Sequence, residues 1–171
     1  MKWWFMGLAL FLLVWLQLVL GNLGVAAPLA AMGVAYFTVA YGWQYGGCGA
    51  LLAGGALAAL YATPGYLLVM LATVPAVEWW FRHHAEDVLG WNWQMGMILA
   101  LATAALVWAG RADAVGVTRV WNWTEEAFLV LQLLGSVLLS GFLCPVVILT
   151  GEAAAELLGL PRFRAALERK P

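Results

Sequence analysis

The longest run without a charged residue is the feature that most constrains this chain. No Asp, Glu, Lys, Arg or His occurs in residues 3–77, and residues 88–110 and 127–151 are also free of them. The chain is 65% hydrophobic and 10% charged, with mean hydropathy +0.89, whereas an ordinary soluble domain carries about 25% charged residues. Since a transmembrane helix needs about 20 apolar residues, the sequence predicts an all-α integral membrane protein with a compact bundle of about six transmembrane helices.

Glycine, proline and polar residues divide the chain into six segments. Turn residues stand at Gly21-Asn22, in the glycine cluster 42–49 and at Thr63-Pro64-Gly65, and polar loops cover 82–91 and 111–124. The predicted spans are residues 3–20, 25–43, 47–62, 64–81, 93–110 and 125–150.

These spans predict one polytopic domain over residues 1–171 that ends in a short basic cytoplasmic tail at 161–171. A secretory signal peptide is the alternative interpretation of the first segment. Its long apolar core and the proline at position 28 favour an uncleaved span.

The third segment is short and rich in small residues. Sixteen residues at a rise of about 1.5 Å make about 24 Å, less than the ~30 Å hydrocarbon core, so this segment is either tilted or re-entrant. Because small side chains let neighbouring backbones approach closely, we expect it to be the central helix. The candidate helix-packing residues are Ala50, Ala53, Gly54, Gly55 and Ala58.

Positive charges predict the topology. Six of the eight Lys and Arg residues fall on one side of a six-span arrangement: Lys2, Arg82, Arg162, Arg164, Arg169 and Lys170. Only Arg111 and Arg119 fall on the other side. The positive-inside rule therefore places both termini in the cytoplasm.

Tryptophans concentrate near the predicted segment ends, where the amphipathic indole ring prefers the level of the lipid headgroups. The repeated Trp-Asn-Trp at 91–93 and 121–123 fits paired interface anchors, and an aromatic ligand cage is the alternative. The predicted anchors are Trp79, Trp80, Trp91, Trp93, Trp121 and Trp123.

Few residues within the predicted spans could carry chemistry. Glu78 lies four positions before Arg82, which predicts an ion pair at a helix end, with a proton or cation site as the alternative. The adjacent His83 and His84 point about 100° apart on a helix and are not expected to share a metal ion. We expect no catalytic residue set, no cofactor and no metal site, and hence no enzyme activity. A net charge of −1 also disfavours a nucleic-acid partner.

Uncharged polar residues within the spans are expected to form hydrogen bonds between helices. Lining of a small-molecule pocket is the alternative. The candidates are Gln17, Gln132, Ser136 and Ser140. The two cysteines, Cys48 and Cys144, lie in apolar surroundings and are not expected to form a disulfide.

The pattern resembles the rod shape-determining membrane protein MreD family. The resemblance is carried by Leu16-Gln17, by Ala27-Pro28-Leu29, by the glycine-rich stretch 49–57 that leads to Thr63-Pro64-Gly65, and by Gly141-Phe142-Leu143-Cys144-Pro145 before a short charged tail. This chain departs from the family at Ala27, where an Arg is common, and at 57–60, where an Asp is common.

The resemblance implies a fold similar to the substrate-binding subunits of energy-coupling-factor vitamin transporters. It also implies a non-catalytic scaffold of the cell-elongation and peptidoglycan machinery that regulates cell shape in the bacterial cytoplasmic (inner) membrane. The implied partners are membrane lipids, an MreC-like bitopic protein, the actin-like MreB and peptidoglycan synthases.

The alternative function is that of a substrate-binding subunit of a transporter for a vitamin or another small solute. An interior cavity of about 300 Å³ or more with convergent polar groups would favour that alternative.

Overall fold

The computed structural model describes residues 2–22, 25, 27–83, 93–105 and 123–160. These residues form six helices and no strand. The helices are α1 (Lys2–Asn22), α2 (Leu29–Tyr41), α3 (Trp43–Leu60), α4 (Gly65–His83), α5 (Trp93–Ala105) and α6 (Trp123–Leu157). Most of both polar loops and the basic tail lie outside the described residues, and with them the arginines at 111 and 119.

The central helix is α2, which corrects the expectation that the third segment occupies this place. Residues 29–38 of α2 are all buried, and α2 contacts α1, α3, α4 and α6. By contrast, α3 exposes Leu51, Leu52 and Leu60. At 13 residues, α2 is about 20 Å long, shorter than the ~30 Å hydrocarbon core.

The sequence predicts a break at the glycine cluster 42–49, but a single residue, Gly42, separates α2 from α3. Gly42 has φ +98°, a conformation that side chains with a Cβ rarely adopt, and α3 begins at the next residue. Gly46 and Gly49 lie inside α3 and allow close packing. A Cβ on Gly46 would lie 2.9 Å from the Thr38 Cβ, and one on Gly49 would lie 3.1 Å from Leu10 Cδ1.

Within the described part of the chain, two helices are long and apolar enough to cross a membrane: α1 and residues Val130–Leu157 of α6. Only 22% of the α1 window and 28% of the α6 window is buried. Large apolar side chains stay exposed along both, for example Phe11 on α1 and Phe142 on α6. The outward faces of α1 and α6 are therefore largely apolar.

The start of α1 lies at the same end of the bundle as the end of α2, and Gly151 of α6 packs beside the middle of α2. Lys2 Nζ lies 6.0 Å from the ring centroid of Tyr41, near the end of α2. A Cβ on Gly151 of α6 would lie 3.1 Å from Cζ of Tyr36. At the other end, a Cβ on Gly21 would lie 3.2 Å from Tyr61 Oη.

Candidate functional site

A buried glutamine joins α1 to the central helix. The side chain of Gln17 is 8% exposed, and its Oε1 accepts a hydrogen bond of 3.0 Å from the backbone N–H of Ala30. The first N–H groups of a helix lack acceptors within the helix, and the N-cap residue of α2, Pro28, makes no side-chain capping bond. Gln17 therefore supplies, from another helix, the acceptor that the start of α2 lacks.

The two candidate serines on α6 are buried, whereas Gln132 on the same helix is exposed. Ser136 is 8% and Ser140 is 0% exposed. The Ser140 Oγ makes no hydrogen bond with any described residue. The structure thus brings Ser136 and Ser140 into the protein interior and leaves Gln132 at its surface.

α5 packs closely against α6 at the backbone of Ser140, a contact that no sequence pattern predicts. A Cβ on Gly96 of α5 would meet the Ser140 carbonyl oxygen and lie 2.7 Å from the Cys144 Cβ. A Cβ on Gly141 would lie 3.0 Å from Met97 Cγ. Only glycine at position 96 lets the two backbones approach this closely, since any larger residue brings a Cβ into the backbone of α6.

The small residues predicted to pack α3 divide into two groups. Ala50, Ala53 and Gly54 are buried, and a Cβ on Gly54 would lie 3.0 Å from the Met70 Cβ of α4. Gly55 and Ala58 are half-buried, and a Cβ on Gly55 would meet nothing within 4 Å. Gly55 therefore faces outward and takes no part in the contact between α3 and α4.

Aromatic rings join the start of α1 to the turn between α2 and α3. The ring centroids of Trp3 and Tyr45 lie 4.4 Å apart, and those of Tyr41 and Tyr45 lie 5.7 Å apart. Phe37 extends the cluster toward the core, with its centroid 5.7 Å from that of Tyr41. The pattern of predicted spans does not indicate this cluster, although the four-residue spacing of Tyr41 and Tyr45 across Gly42 is a signal for it.

The predicted tryptophan anchors differ in exposure. Trp79 and Trp93 are 59% and 48% exposed, whereas Trp80 is half-buried and packs against the core. The Trp79 ring lies 4.9 Å from the ring of His83, whose Nδ1 is 2.8 Å from the Trp79 carbonyl oxygen. Trp91 and Trp121 lie outside the described residues, as does the side chain of Trp123. Glu78 is half-buried, and the Arg82 side chain is not among those described.

A groove of about 410 Å³ opens on the outer face of α1. Its lining is almost wholly apolar and consists of Trp3, Trp4, Gly7, Leu8 and Phe11. It lacks the convergent polar groups that fix the orientation of a small molecule. Within the described residues, no three His, Cys, Asp or Glu side chains cluster closely enough to hold a metal ion, and both cysteines are free.

The described residues therefore form packing contacts between helices and apolar faces that point outward. In a comparison with known proteins, no family model, no curated protein and no solved structure matches the chain.

Proposed function

We propose that this chain is a multi-pass membrane protein without catalytic activity that holds other membrane proteins together. In this proposal its six helices span the bacterial cytoplasmic membrane, and both termini lie in the cytoplasm. The resemblance to the MreD family suggests the cell-elongation and peptidoglycan machinery as the setting. An MreC-like protein, the actin-like MreB and peptidoglycan synthases are then the proposed partners.

The exposed faces of α1 and α6 are the observation that carries the proposal. A long apolar helix in a soluble protein is buried in its core, whereas these two windows are only 22% and 28% buried. Contiguous apolar surface of this extent is stable in lipid or against another protein. The short central helix α2 is compatible with a membrane protein because other helices cover it on several sides.

The outer face of α6 is suited to packing against a transmembrane helix of another protein. Leu131, Leu134 and Leu138 are exposed, and a Cβ on Gly135 between them would meet nothing within 4 Å. A glycine notch among leucines accepts a large side chain from a neighbouring helix, and transmembrane helices associate through such close packing.

A solute-binding subunit is less well supported. The α1 groove is open and apolar, and the buried Gln17 Oε1 is already occupied by the Ala30 N–H. Neither provides the polar contacts by which a binding site selects a vitamin.

Deletion of the gene in its native host tests the proposed function. We expect altered cell width, restored by the wild-type chain and by the His83→Ala and Glu78→Gln variants, because neither side chain performs chemistry in this proposal. Cell width by microscopy is the measurement. Normal width together with lost uptake of one vitamin would reject the scaffold and favour the solute-binding subunit.

A further inference from the structure

An outward stripe of large apolar side chains runs along α1. Trp4, Leu8, Phe11 and Trp15 are 86%, 62%, 67% and 57% exposed. Their spacings of four, three and four residues are those of the a and d positions in a heptad repeat, which form the contact line of two helices packed side by side. We name these four residues the α1 seam.

The groove on α1 has the form of a hole in such a contact. Four of its five lining residues, Trp4, Gly7, Leu8 and Phe11, stand at positions i, i+3, i+4 and i+7 of the helix, and Trp3 completes the lining. Four residues of one helix form the hole that receives a side chain of the facing helix in a coiled coil. Gly7 gives this hole its room, because a Cβ there would meet nothing within 4 Å.

We propose that the α1 seam is an interface between two copies of this chain. Two copies inserted in the same orientation and related by a two-fold axis along the membrane normal bring their α1 helices together in parallel. The same surface then serves on both copies. In a parallel pair the residue opposite the hole is the i+4 residue of the second copy, a leucine, which enters the space above Gly7. This self-association goes beyond the proposed function and rests only on its membrane placement.

The outer face of α6 lacks the self-complementarity that lets a second copy fit against α1. Leu131, Leu134, Gly135 and Leu138 have the same spacing on α6 and are also exposed. There the i+4 position is Gly135 itself, so a second copy would bring no side chain to fill the notch. The α6 notch therefore needs a different helix, whereas the α1 hole is complementary to its own seam.

The exposed area of the seam is sufficient for a specific pair. The four side chains expose roughly 600 Å² on each copy, if a fully exposed aromatic side chain offers about 150–250 Å². Two copies can therefore cover up to about 1,200 Å², the lower end for stable specific interfaces. In lipid, the free energy that favours association of two helices comes from van der Waals packing. A leucine that fills the hole provides such packing.

Cysteine crosslinking in membranes tests the seam. In a Cys48→Ala background, which removes the exposed native thiol and leaves the buried Cys144, we expect Leu8→Cys and Trp15→Cys to form disulfide-linked dimers on mild oxidation. Leu16→Cys is the matched control, because Leu16 is exposed on α1 but lies about 100° around the helix from Trp15. Equal crosslinking at Leu16, no crosslinking at Leu8, or a product with another protein would overturn the proposal.

A second measurement compares two glycines that have open space around them. Gly7→Leu fills the hole and is expected to weaken dimerisation about tenfold, the equivalent of about 1.4 kcal/mol. Gly55→Leu adds the same bulk on the outer face of α3 and should leave the dimer unchanged. Single-molecule subunit counting in membranes reads out both variants, and a Gly7→Leu chain as dimeric as the wild type would also overturn the proposal. A chain that dimerises through the seam although its deletion leaves cell width normal would contradict the proposed function alone.

Discussion

At the scale of single residues, buried polar atoms in this chain have two different surroundings. The Gln17 Oε1 receives the Ala30 N–H, whereas the Ser140 Oγ has no hydrogen-bond partner among the described residues. An unsatisfied buried donor or acceptor costs about 1–3 kcal/mol. The two positions should therefore respond in opposite directions to the loss of their polar atoms.

Replacing Gln17 should destabilise the fold. Gln17→Met keeps the length of the side chain but removes the acceptor, which leaves the Ala30 N–H buried without a bond. We expect the free energy of unfolding to fall by about 1–3 kcal/mol, more than the ~0.6 kcal/mol typical of a polar contact between transmembrane helices. Unfolding in detergent micelles measures this, with the exposed Gln44→Met as the control. Equal stability of the two variants would show that the hydrogen bond contributes nothing.

Replacing Ser140 should not destabilise the fold. Ser140→Ala removes a hydroxyl that has no described partner, and the small change in volume leaves the contact with Gly96 in place. We expect an unfolding free energy equal to that of the wild type or up to about 1 kcal/mol higher. The same unfolding assay provides the measurement. A loss of stability would mean that the hydroxyl has a partner beyond the described residues.

At the scale of helices, two adjacent glycines of α3 have different neighbours. The sequence suggested equal importance for Gly54 and Gly55. In the structure, a Cβ on Gly54 would lie 3.1 Å from the Leu67 Cα of α4, whereas one on Gly55 would lie in open space. A backbone atom cannot move aside as a flexible side chain can, so position 54 limits how closely α3 and α4 approach.

We therefore expect Gly54→Leu to reduce the yield of folded protein strongly and Gly55→Leu to leave it near the wild-type level. Overpacking of a close contact costs about 1–3 kcal/mol, and occasionally more. The monodisperse fraction after detergent extraction is the measurement, and each variant serves as the other's control. Similar yields for both variants would show that α3 and α4 do not pack as described.

The helical class and most helix bounds could be predicted from the charge-free runs and their breaks. The start of α4 at Gly65 and the start of α5 at Trp93 agree with the predicted segments to within one residue. The identity of the central helix could not be predicted. Core-facing and outward-facing positions are both apolar here, so α2 and α3 carry no pattern that separates inside from outside.

The structural role of a glycine is equally hard to predict from the sequence, and this also limits prediction of the candidate site. Gly42 ends a helix, while Gly46 and Gly96 allow a neighbouring helix to approach. Which use applies depends on what lies opposite each glycine, such as Thr38 or Ser140, and those neighbours are known only after folding. The interhelical role of Gln17 could be foreseen from its polarity within a span, but its acceptor role at the start of α2 could not.

At the scale of the whole molecule, contacts within the bundle restrict the topology. Lys2 lies against Tyr41 at the end of α2, and Gly151 of α6 lies against Tyr36 near the middle of α2. The start of α1 and the end of α2 are therefore at one end of the bundle, and the turn between α3 and α4 at Tyr61 is at the other, beside Gly21. This arrangement of α1, α2 and α3 is compatible with the alternating crossings of the proposed six-span topology.

In the proposed six-span topology, reporter fusions at Lys2 and Pro171 should report the same compartment. The six-to-two division of positive residues predicts that this compartment is the cytoplasm. A reporter inserted at Thr63, between α3 and α4, should report the opposite compartment, because that turn lies at the other end of the bundle. Alkaline phosphatase, which is active outside the cytoplasm, and green fluorescent protein, which is fluorescent inside, together provide the readout.

Termini in opposite compartments would contradict six crossings and would require one helix to enter and leave the membrane on the same side. The short α2 would then be the first candidate, since its 13 residues are fewer than the ~20 that a crossing needs.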